Sequence, residues 1–63
     1  MELDKALEYV NQVKSGKRPH LDWNGWSDVE ITLRDAGRSE LAQVAHSETM
    51  RAYRKEEYDA DLL

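Results

Sequence analysis

The sequence predicts an all-α fold, a small three-helix domain, and three observations carry that prediction. Apolar residues recur at helical spacing over positions 2–14, and a Ser-x-x-Glu box precedes an apolar run in the middle of the chain. A glycine break at Gly37 is then followed by one long amphipathic stripe. The chain has 63 residues, enough for a single domain, and folding at this size buries only about 60% of the surface the unfolded chain exposes.

The first helix is expected over about residues 2–14. Leu3, Ala6, Leu7, Val10 and Val13 form its apolar stripe, with Lys5, Glu8, Asn11 and Gln12 on the other side. Its end is well marked. Lys14 complements the negative end of the helix dipole, Gly16 suits a left-handed C-terminal cap, and Pro19 stands where no helix could continue.

The middle of the chain reads "HLDWNGWSD" from His20 to Asp28, with both tryptophans flanking Asn24-Gly25, the strongest short hairpin signal. Val29 to Arg34 alternates apolar and polar residues, so an α+β fold with 28–34 as a strand is the alternative. The hairpin register fails. A turn at Asn24-Gly25 pairs Trp23 with Trp26 and Leu21 with Asp28, which leaves Val29, Ile31 and Leu33 on the face opposite the tryptophans. Ser27-Asp-Val-Glu30 instead reads as a capping box, and Gly37 ends the element it starts. A short helix over about 28–36 is therefore expected, burying Val29, Leu33 and Ala36, with a tryptophan-containing loop over 15–26.

Ser39 is placed to cap a third helix, with Glu40 at its positive end. Leu41, Val44, Ala45 and Ala52 form its apolar stripe and Tyr53 lies at the margin, out to about residue 57. The helical domain is then 1–57. The acidic run from Glu56 to Asp61 opposes the dipole, so 58–63 is expected to be a frayed tail.

Composition narrows the function. The chain has no cysteine, which excludes disulfides and thiolate zinc sites. Its opening residues hold no apolar run that would make a signal peptide or a membrane span, and a soluble cytoplasmic protein is expected. A net charge of −4 disfavours non-specific attraction to phosphate backbones. His20 and His46 lack any ligand spacing, Ser47 points about 100° away from His46 on a helix, and the acidic end has no calcium-loop glycine. No catalytic residue, metal or cofactor is expected, and the chain is read as a non-enzyme.

What remains is binding. The sequence suits a small regulator, inhibitor or assembly component that engages another protein, of a kind typical of phage and other mobile-element accessory proteins. The candidate contact residues are Trp23 and Trp26, because tryptophan is enriched among residues that dominate interface energies, and Met50 and Tyr53, an apolar spot expected to remain once the core is complete. A homodimer through the third helix is a further expectation, since Met50 projects away from the stripe and Arg51, Arg54 and Lys55 can face Glu56, Glu57 and Asp59 of a second copy. The alternative is a nucleic-acid binder that sets Lys14, Lys17 and Arg18 beside a stacking tryptophan. A helix-turn-helix reading of "RSELAQVAHSETMRAYRK" fails for want of the turn glycine.

Overall fold

A computed structural model describes residues 1–59. It shows an all-α, three-helix domain: α1 at Leu3–Lys14, α2 at Trp23–Asp35 and α3 at Ser39–Tyr53, continued by a π-helical segment at Arg54–Asp59. No strand occurs among the described residues, so the alternative with 28–34 extended is not the fold. Tyr58 and Asp59 belong to the π-helical segment. The remainder of the expected tail, 60–63, lies outside the described residues.

α1 forms nearly where its periodicity puts it. It closes with a Schellman motif, in which Gly16 at φ 89° lets the Gly16 N–H reach the Val13 carbonyl and the Lys17 N–H reach the Gln12 carbonyl. α2 ends the same way. Gly37 at φ 77° directs its N–H to the Arg34 carbonyl, while the Arg38 N–H bonds the Leu33 carbonyl at 2.8 Å.

α2 corrects the sequence reading at its start, which lies at Trp23 rather than near Asp28. The capping residue is Asp22, whose carboxylate accepts the Gly25 N–H at 2.7 Å. Ser27 sits inside the helix, and the Ser27–Glu30 capping box does not form. The physical reason is burial. An earlier start places Trp26, Val29 and Leu33 at i, i+3 and i+7 on one stripe, so Trp26 enters the core instead of lying in a loop. Gly25 also helps, because a Cβ there would come within 2.8 Å of Leu21 Cδ2.

α3 departs from expectation in its cap and its face. Arg38 takes the cap position, its carbonyl accepting the Ala42 N–H at 2.8 Å, and Ser39 is already helical with no side-chain cap. The turn is too short for both. Arg38 completes the α2 Schellman motif and begins α3 in one residue. Ala42 and Ala45 are the fully buried residues of α3, with Leu41, Val44 and Ala52 packed beside them. Ala36, expected inside, is exposed because it is the C-cap of α2.

Among the described residues, the core consists of seven buried side chains, Ala6, Val10, Trp26, Val29, Leu33, Ala42 and Ala45. Three are alanines, so the helices approach closely, and Trp26 is the largest of the seven. Its ring is 3% exposed and meets Tyr9 of α1 edge-on, with centroids 6.1 Å apart.

Two substitutions test this account in urea titrations. Asp22→Ala is expected to cost about 0.5–2 kcal/mol, while Ser27→Ala stays within about 0.5 kcal/mol of wild type. The reverse order would restore the later start. Trp26→Ala removes about 3–5 kcal/mol, comparable to the whole stability of so small a core, and is expected to abolish the cooperative transition.

Candidate functional site

α2 and α3 run antiparallel across the Ala36–Arg38 turn, so residues whose numbers rise along one helix meet residues whose numbers fall along the other. Glu30 meets His46, with Oε1 3.1 Å from Nδ1. Farther out, Trp23 meets Tyr53 edge-to-face, with ring centroids 5.3 Å apart and planes at 84°. Met50 follows His46 by one turn and precedes Tyr53 by three residues, which places it between the two contacts on the same side of α3. It is 45% exposed. The outer side of the α2–α3 seam thus carries the Trp23–Tyr53 pair, Met50, and a polar cluster in which Glu30 also accepts from Arg34 at 2.8 Å.

Three of the four expected contact residues, Trp23, Met50 and Tyr53, therefore gather at one seam. Trp26 does not. It belongs to the core, and the two tryptophans separate because three residues along a helix turn the side chain by about 300° while the first turn borders both the core and the seam.

The basic cluster is placed differently. Lys14 ends α1, Lys17 follows its cap, and Arg18 reaches Glu48 of α3 at 3.4 Å. Arg18 lies on an open groove of about 480 Å³ between the 18–22 loop and α3, floored by Pro19, Leu21 and Ala52. The tryptophan on that groove is Trp26, which presents only a sliver of its ring. The more exposed indole, that of Trp23, leans on Tyr53 instead.

Other features were not anticipated from sequence. Glu56 Oε2 accepts the Trp23 N–H at 2.9 Å, so a residue of the acidic run caps the first helical amide of α2. Nothing local signals this, because the partners are 33 residues apart. On the outer face of α3, His46, Ser47, Met50, Arg51, Arg54 and Lys55 line a shallow depression of about 550 Å³. The Ser47 hydroxyl donates to the Gln43 carbonyl at 3.3 Å rather than to His46. Among the described residues, no group of three or more His, Cys, Asp or Glu side chains is arranged to hold a metal ion, and no helix is long and apolar enough to cross a membrane.

Comparison with protein-family models, with curated proteins and with solved structures finds no match for this chain.

The different fates of the two indoles have an optical test. In Trp26→Phe, which leaves Trp23, fluorescence is expected to be redder and more steeply quenched by acrylamide than in Trp23→Phe, which leaves Trp26. Equal quenching in the two variants would contradict the burial of Trp26.

Proposed function

We propose that the chain is a small, non-catalytic protein-binding module, a regulator, inhibitor or assembly component, that engages its partner through the α2–α3 seam. The observation behind this reading is Met50, 45% exposed beside the half-buried Trp23–Tyr53 pair. Aromatic side chains carry a disproportionate share of interface energy, and methionine adapts its shape to varied apolar partners. The two rings already brace one another, so docking against them freezes little additional side-chain motion. The non-catalytic part rests on size. A core of seven side chains leaves open depressions on its surface, whereas enzymes bury most of their substrate in a walled pocket.

The exposure of Met50 also favours a second copy of the chain as partner. Antiparallel α3 helices would set Arg51, Arg54 and Lys55 near Glu56, Glu57 and Asp59, but exposed pairs of this kind contribute only ~0–1 kcal/mol each and would orient the contact more than hold it. The nucleic-acid alternative loses support with Trp26 in the core, since the Arg18 groove then lacks an open ring on which a base could stack.

Affinity capture from cells that naturally contain the protein, with mass spectrometry of what is retained, tests the reading. A protein partner is expected with the wild-type chain, and Trp23→Ala is expected to weaken the complex by ~2 kcal/mol or more. Retention of nucleic acid with no protein, insensitive to Trp23→Ala and lost on reversing Lys17 and Arg18, would replace the proposal by its alternative. Sedimentation equilibrium separates the homodimer. A dimer that Met50→Glu dissociates without loss of helicity supports self-association, and a single-chain mass up to high micromolar concentration rejects it.

A further inference from the structure

The depression on the outer face of α3 has a chemistry of its own. Among the described residues, Arg51, Arg54 and Lys55 line it together with His46, Ser47 and Met50, and no described carboxylate does. This is unusual in a chain with 13 acidic and 9 basic residues. Three described carboxylates on or beside α3 have other partners, although Glu48 and Glu56 share the neighbouring groove with Arg51 and Lys55. Glu48 pairs with Arg18, Glu56 accepts the Trp23 N–H, and Glu30 holds both Arg34 and His46. None of Arg51, Arg54 and Lys55 makes an ion pair with a described residue, so three cations share one face with an exposed apolar side chain.

We infer that this face docks an acidic segment of a partner protein, its carboxylates on Arg51, Arg54 and Lys55 and an apolar side chain on Met50. The inference rests on the protein-binding reading above and adds the chemistry of the partner. Two of the three cations are arginines, whose planar forks bind carboxylates through paired hydrogen bonds. Phosphates would satisfy the same forks, and the rest of the molecule decides between them. The domain measures 38 × 22 × 17 Å, and charges act over roughly 8 Å at physiological ionic strength. A nucleic acid longer than the depression therefore runs on beside surface that carries the net negative charge. A short acidic segment ends where the cations end. Met50 adds a contact that suits an aliphatic or aromatic side chain and offers nothing to a phosphate backbone.

The test is selection of displayed peptides of about twelve residues, long enough to span ~18 Å as a helix, on the wild-type chain. Counter-selection uses the Arg51→Glu, Arg54→Glu, Lys55→Glu variant, which alters exposed positions only. Selected peptides are expected to combine Asp and Glu with Leu, Ile or Phe. The best of them, followed by fluorescence anisotropy, is expected to bind about tenfold or more weakly to the triple variant and to weaken as salt is raised. Amide shifts on binding are expected along His46 to Lys55, and Met50→Glu is expected to weaken the same peptide. Should the triple variant unfold, Arg54→Glu alone serves, with a smaller loss in the same direction. Peptides without acidic residues, or acidic peptides that shift only Trp23 and Tyr53 and ignore the charge reversals, overturn the inference and leave the protein-binding reading standing. Failure to select any peptide, with salt-sensitive binding of an oligodeoxythymidylate in its place, overturns both. A dimer that the triple variant dissociates assigns the face to a second copy and also overturns it.

Discussion

Burial of Trp26 fixes the start of α2 at Trp23, where the Asp22 carboxylate accepts the Gly25 N–H, and most of the remaining structure depends on that position. Started at Trp23, the helix carries Trp26 on the same stripe as Val29 and Leu33, and the largest side chain of the chain fills the space between three helices. Had the helix begun near Asp28, Trp26 would belong to a loop and the core would be left with valines, one leucine and alanines. The Glu56 carboxylate reinforces the same terminus from the far end of α3 by taking the Trp23 N–H. Two orphan amides and the positive end of one dipole are thereby matched with negative charge.

That terminus also joins the core to the surface. Trp23 and Trp26 stand on the same first turn, one leaning on Tyr53 at the seam and the other meeting Tyr9 in the interior. The small residues Ala42 and Ala45 let α3 approach α2 closely, and Met50 is left outside the completed packing. Exposure of Met50 thus follows from how the core closes. The order of residues along α3, with buried Ala45 followed five positions later by exposed Met50, turns the methionine well away from the interior.

Charge is distributed by the same packing. The carboxylates of Asp22, Glu30, Glu48 and Glu56 are each held by a backbone amide or a basic side chain. Individually such exposed contacts contribute little to stability. Their larger effect is on the surface that remains, where Arg51, Arg54 and Lys55 keep their charge on one face of an otherwise acidic domain.

Much of the fold was legible in the sequence. Helical periodicity located α1, Gly16 and Gly37 marked two helix ends through their need for positive φ, and the failed hairpin register excluded the strand. These are local properties, settled within a turn or two of chain. Residue type put Trp23, Trp26, Met50 and Tyr53 forward alike as contact candidates, and only packing separates buried Trp26 from the other three. Tertiary structure decided what depends on competition between distant parts. Two caps were available to α2, Asp22 and Ser27, and local chemistry does not rank them; burial of Trp26 against Tyr9 does, because only the earlier start delivers it. Ala42 displaced Leu41 as the buried residue of α3 because the closeness of α2 favours the smaller side chain there. The pairing of Glu56 with Trp23, of Glu30 with His46 and of Arg18 with Glu48 joins residues 33, 16 and 30 positions apart. Periodicity carries no information at those separations, since it is the packing of one helix on another that brings the partners within reach.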